Sequence, residues 1–192
     1  MRDDLAQILA RAIESAVYNG TGSPQPTGIL QNGAITNIVS LGTNGGSPTW
    51  SAICQLEELL SKGNVDTGNL ATVMTPAARG TLKQTPKQGL SQTSNYPLML
   101  WERGEQTVND YDAYATNLLP SNLTKGSGSS LSSLIHANWL DAVLAFWSGI
   151  DTLVDPYTGG PAGTLRIVVL QDCDFQIRHP ASFAIINDMI TV

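Results

Sequence analysis

The sequence predicts an α+β fold, with helices in its first half and strands gathered toward its end. Three observations carry this reading. Leu5, Ile8, Leu9, Ala12, Ile13, Ala16 and Val17 recur at the helical period on one face. Ser47-Pro48 and Thr75-Pro76 each set a hydroxyl cap before a proline suited to the first helical position. Beyond residue 164 the chain turns into short β-rich runs at 165–170, 175–177 and 183–186, the last two parted by Pro180.

The first helix is predicted over about 5–17. Its register puts Ile8, Ile13 and Val17 toward the core and Gln7, Arg11 and Glu14 outside. Asp3 and Asp4 complement its positive end, and Asn19-Gly20 stops it. Helical pattern begins almost at the first residue, which fits a truncated longer helix and a true start equally well. Residues 19–30 hold Gly20, Gly22, Pro24, Pro26 and Gly28, which predicts a stiff loop. A short strand is expected at 34–39. Ser47-Pro48 opens a second helix with Ile53, Leu56, Leu59 and Leu60 buried, closed at Lys62-Gly63. Residues 70–74 read as a buried strand, and Thr75-Pro76 starts a short helix to about 84. A long loop or hairpin is predicted over 85–110, and a strand over 113–118 ending at Pro120. Residues 126–130 form a flexible tip. The stretch 131–146 begins as strand with a helical turn inside it, and 151–157 leads to a turn at Gly159-Gly160-Pro161.

The 192 residues suit one domain or two small ones, and 42% hydrophobic residues suffice for a core. Charged residues are only 14%, against about 25% in ordinary domains. Ser, Thr and Asn, at 16, 18 and 12, leave a neutral polar surface. Ten Lys and Arg in a chain of net charge −6 form no cationic cluster. That argues against sequence-specific nucleic-acid binding and against attachment to membrane surfaces. No apolar stretch approaches the roughly 20 residues of a spanning helix, and no signal peptide is expected. Two cysteines do not make a disulfide framework, which points to a reducing cytoplasm.

Chemical candidates are few. Gly20-x-Gly22 lacks the preceding strand and the Lys-Ser/Thr of a nucleotide cradle. His136 and His179 are the sole histidines, and Asp172-Cys173-Asp174 beside His179 matches no common zinc spacing, reading instead as an Asp-rich turn. Cys54 with His136 could pair nucleophile and base, but Cys54 falls in an amphipathic helix, where cysteine is usually a small core residue. No Gly-x-Ser-x-Gly elbow supports a serine nucleophile. Asp110 and Asp112 would share a strand face, as a solvated edge. Asn19-Gly-Thr and Asn122-Leu-Thr match the glycosylation triplet by accident. Trp50, Trp101, Trp139 and Trp147 suit core or interface alike. No catalytic, cofactor or metal site is therefore expected, and binding to protein is favoured over chemistry.

The order of segments says more. The helix runs into Asn19-Gly20-Thr21-Gly22 and then Pro26-Thr27-Gly28-Ile29-Leu30. Ala71-Thr72-Val73-Met74-Thr75-Pro76 follows, then Thr116-Asn117-Leu118-Leu119-Pro120, Ile135-His136-Ala137-Asn138-Trp139, 149–158 with Val154-Asp155-Pro156-Tyr157-Thr158, and Arg178-His179-Pro180-Ala181-Ser182-Phe183. This series resembles the major capsid proteins of tailed bacteriophages, block by block. Departures are Asn19, where many members have Gly-Asp, and the lost Gly-Asp before Trp139.

The resemblance implies the Hong Kong ninety-seven-type fold. Residues 1–36 would be the end of the spine helix and a glycine-rich loop of the peripheral domain. Residues 37–164 would be the axial domain, and 165–192 peripheral strands returning to it. It implies a structural protein of a phage or prophage, with itself as main partner in pentamers and hexamers of a DNA-holding shell, and scaffolding, protease and portal proteins beside it. Assembly would take place in the host cytoplasm. An encapsulin-like compartment shell, a small hydrolase using Cys54 or a serine, and an adhesion or tail module are the alternatives. Gly163-Thr164 stands where some relatives carry a cross-linking Asn, so no cross-link is expected. The N-terminal arm, extended loop and first half of the spine helix have no counterpart here, so the resemblance also implies weak self-contact from these residues alone.

Overall fold

The computed structural model describes residues 2–65, 67–87, 98–102, 104, 106–158 and 163–191. Its three helices are α1 (Arg2–Asn19), α2 (Trp50–Lys62) and α3 (Pro76–Gln84) among these residues. The strands that build the centre are β1 (Leu70–Met74), β2 (Thr107–Val108), β3 (Tyr111–Ala115), β4 (Leu123–Lys125) and β5 (Gly128–Asn138). Four more, β6 (Ala142–Phe146), β7 (Asp151–Asp155), β8 (Arg166–Leu170) and β9 (Cys173–Ile177), precede the last central strand, β10 (Phe183–Ile190). The class is α+β, as the sequence predicts.

The central sheet runs β10-β5-β1-β3-β2, with β4 hydrogen-bonded to β5. β1 and β3 are parallel; every other pair is antiparallel. Alternate residues point to opposite faces. Leu134, Ala184 and Ile186 pack with α2 and α3 on one side. Ile135, Ala137, Phe183 and Ile185 pack with Tyr18, Ile29, Phe175 and Ile177 on the other. Because both faces are covered, residues 131–138 are all buried, and the strand reads as a nearly continuous run.

The capping signals hold with one shift. The Thr75 side chain accepts the Ala78 N–H at 3.1 Å and Pro76 opens α3. For α2 the cap is Thr49, whose hydroxyl accepts the Ala52 N–H at 3.2 Å, two residues beyond the predicted Ser47. Gly63 ends α2 as expected, its N–H turned back to Leu60 and Ser61. Residues 34–39 are not a strand. They run beside β10 through a single bridge, Ile38 to Ile185, in which Val39 donates to the Ile185 carbonyl and Ile185 to that of Asn37. Within 85–110, Pro86 pairs antiparallel with Met99; residues 88–97, 103 and 105 of that predicted loop, like the 159–161 turn, lie outside the described residues. Of the expected tip at 126–130, residues 126–127 are the β4–β5 turn, with Gly126 at φ 58, and 128–130 already belong to β5.

α1 ends in a tight knot. Gly20 donates to Ala16, and Gly28 donates to Gly20. A Cβ on Gly20 would strike the carbonyls of Pro26 and Ala16, so only glycine lets the loop cross the helix end this closely. Burial of the helix departs from the predicted register. Ala16 and Tyr18 are buried and Leu5, Leu9, Ile13 and Val17 half-buried, while Ile8 is 64% exposed. Periodicity places Ile13 and Val17 on the partly covered face, but Ile8 is misassigned: Leu5 and Leu9 on either side of it are half-buried, while Ile8 points away from that face. Ile8→Ala is therefore expected to change stability by less than about 0.5 kcal/mol, and Ile13→Ala by less than the roughly 2–4 kcal/mol of a fully buried site. Urea denaturation of both variants checks this; a loss above about 1 kcal/mol for Ile8→Ala would mean the first half of the helix is packed.

The remaining strands form a ribbon. β6 pairs with β9 from Ala142–Ile177 to Phe146–Cys173, and β7 pairs with β8 from Asp151–Leu170 to Asp155–Arg166, all antiparallel. Asp172-Cys173-Asp174, expected as a turn, instead leads into β9, where the Asp174 carboxylate accepts the Phe175 N–H at 2.8 Å.

Candidate functional site

Three groups matter for function: the chemical candidates, two buried polar networks, and the apolar surface of α1 and the ribbon.

The chemical candidates do not converge. Cys54 is half-buried on α2, and burial, then the Glu57 charge, pushes its thiol up despite Lys87, the opposite of activation. No hydrogen bond joins it to His136, which lies in β5. Asp110 is not in a strand with Asp112. With Asn109 it forms the two-residue turn between β2 and β3, at φ 55 and 64, and both carboxylates are exposed. His179 is exposed before the 180–182 turn. Among the described residues no three His, Cys, Asp or Glu gather as metal ligands. No helix among them is long and apolar enough to cross a membrane.

His136 is the first buried network. It is 3% exposed, with Nδ1 2.9 Å from the Thr72 hydroxyl and its ring 5.0 Å from that of Tyr111. Tyr111 in turn donates to Glu57 at 3.0 Å, and Asn109 donates to the other Glu57 oxygen at 2.6 Å. Burial outweighs the Glu57 charge and pulls the imidazole down to about 4. The sign follows. The unfolded chain protonates this histidine near 6.5, the folded one only near 4, so the folded state is favoured at neutral pH and loses that advantage as pH falls below 6.5. Lowering pH from 7 to 5 is expected to cost about 2 kcal/mol. Urea midpoints across that range check it: His136→Met should flatten the profile, and a wild-type profile already flat would refute the assignment.

Asp188 is the second. It sits where the β10–β5 register shifts between Ile186 and Met189, and its side chain is fully buried. Its carboxylate accepts the Leu41 N–H at 3.0 Å, the Ser40 hydroxyl at 3.1 Å and the Lys125 ammonium at 2.6 Å. The pair clamps the 37–46 segment and the β4–β5 hairpin to β10. Residue-by-residue reading missed it, although a lone Asp inside the apolar run 183–190 was a visible signal.

The surface is apolar where α1 and the ribbon stand out. α1 and the ribbon line an open groove of about 380 Å³, with Ile13, Val17 and Tyr18 facing Leu144, Phe146 and Phe175. Farther along the ribbon Trp147, Leu153, Tyr157 and Leu170 are exposed. The tryptophans divide: Trp101 is buried, Trp50 and Trp139 pack against the core, and Trp147 lies outside.

Known proteins match this chain as follows. The phage capsid family model matches residues 1–188. The major capsid protein of Halomonas phage phiHAP-1 is 24% identical over 187 residues, 96% of this chain and 27% of that protein. The capsid of a native GTA particle superposes with a TM-score of 0.68 at 15% identity, over 98% of this chain and 64% of that one. The holo-SrpI encapsulin of Synechococcus elongatus gives 0.58 at 13%, over 96% and 63%. This chain thus spans about a quarter of the curated relative and just under two thirds of these solved chains.

Proposed function

From the premise that the chain belongs to the phage capsid family, we propose that it serves as a shell-building part of a phage or prophage head, without catalysis. One observation carries the reading: the family match spans residues 1–188, which takes in α1 to α3, the central strands and most of β10. The geometry supports it. Both faces of the central sheet are covered, which makes a rigid body, while apolar surface is left on α1 and the ribbon. Such a body builds by contact, and head-to-tail contacts close into rings where the rotation permits.

In this reading residues 1–36 and 165–192 are peripheral and 37–164 mostly axial. The ribbon pairs 142–146 with 173–177 and 151–155 with 166–170, two ladders that would link the parts in this reading. The partner is the same chain in pentamers and hexamers, in the virion after assembly in the host cytoplasm, with scaffolding, protease and portal proteins alongside.

Electron microscopy of particles from cells expressing the gene that carries these residues tests the proposal. Closed shells containing this fold, with nuclease-protected DNA inside, are expected. An enzyme cargo in place of DNA would turn the reading to an encapsulin-like compartment. A protein that never enters rings or shells, with or without a scaffolding partner, would overturn it.

A further inference from the structure

The ribbon has an unused edge whose chemistry selects its own copy. β7 and β8 pair only with each other, and among the described residues no ladder joins their outer edges. Two strands alone are marginal in water, and an open edge is a template for a further strand. The two edges differ. A two-fold antiparallel pairing of β7 with itself about Leu153 would set Asp151 against Asp155 of the copy, twice, with like charges directly opposite. The same pairing of β8 about Val168 sets Ile167 against Val169 and Arg166 against Leu170. It also brings exposed Asp172, two residues past β8, diagonal to Arg166 of the copy, within reach of a long side chain. Each half therefore gains an opposite-charge pair and loses nothing to repulsion.

We propose that β8 is a self-recognition edge, through which two copies of this chain join antiparallel about Val168 into a continuous four-stranded sheet. The inference deepens the shell reading and rests on it for the identity of the partner. Two strands of five residues bury less than the roughly 1,000 Å² of a stable complex, so the contact is weak alone and gains strength by repetition in an assembly.

Covalent trapping suits a weak symmetric contact, because a residue on the two-fold axis meets itself. In a Cys54→Ser, Cys173→Ser background, Val168→Cys is compared with Leu153→Cys. The two positions are directly opposite on the ribbon but at different edges, and Leu153 is the more exposed of the two, so exposure alone would favour the Leu153→Cys cross-link. Circular dichroism first confirms that both variants keep the parent spectrum. Under mild oxidation Val168→Cys is expected to form a disulfide dimer at least ten times faster than Leu153→Cys, and adding Asp172→Lys should slow it several-fold. Equal rates at the two edges, or no Val168→Cys dimer at any concentration, would overturn the proposal. Shells that form with no Val168→Cys cross-link would sink this edge and leave the shell reading standing. Cross-linked dimers from a protein that never builds shells would do the reverse.

Discussion

Phe183→Ala is expected to lower stability by about 3–5 kcal/mol, the range for removing a large aromatic from a packed core. Phe183 opens β10 and is wholly buried. Its ring meets Trp139 edge-on at 6.1 Å, and Trp139 meets Tyr18 of α1 the same way at 6.5 Å. Trp139 is further held by its indole N–H on the Ala71 carbonyl at 3.0 Å. Deleting the ring opens a hole bounded by hydrogen-bonded backbone on the sheet side, where collapse is hardest. Chemical denaturation measures the loss. A second readout is the near-ultraviolet dichroism of Trp139, which should weaken in the folded variant. A cost below about 1 kcal/mol would mean α1 and the 139–142 turn settle into the space.

Asp188→Ala should cost about 3 kcal/mol. The change leaves the Leu41 N–H without its acceptor and frees Ser40 and Lys125. Lys125→Ala should cost roughly half as much, because the lysine side chain is 36% exposed and water can replace its ammonium. Denaturation midpoints of both single variants and the double variant test the order. If Lys125→Ala costs more than Asp188→Ala, the carboxylate depends on the ion pair more than on its backbone partners.

The elements most legible in the sequence are those whose cause is local. Thr75-Pro76 names the start of α3 because a cap and a ring-fixed φ act within one turn. Ser47-Pro48 misplaces α2 by two residues because Thr49 is an equally good cap and lies nearer the first buried position. Two strands of the ribbon, 166–170 and 173–177, are visible as β-rich runs, but 142–146 and 151–155 are not, and neither are the partners, since pairing 142–146 with 173–177 depends on what lies between them. Burial was the least legible quantity. Helical periodicity places Ile13 and Val17 on the partly covered face of α1, yet says nothing of how far a neighbour covers it, and Ile8 points away from that face. His136 looked like a candidate base because the residue type is rare. Its sealing between β1, β3 and α2 leaves it neutral at physiological pH.

The strand order has a consequence for synthesis. β5 is flanked by β1, emitted some sixty residues before it, and by β10, emitted about fifty residues after it. Until residues 183–190 leave the ribosome, one side of β5 has no ladder, and the face that Phe183 and Ile185 help to cover stays wet. Closure of the sheet thus waits for translation of β10, and the nascent chain presents an adhesive surface over an interval of about a quarter of the 192 residues. Crowded polysomes making many copies at once are where that interval is most exposed to pairing with the wrong neighbour.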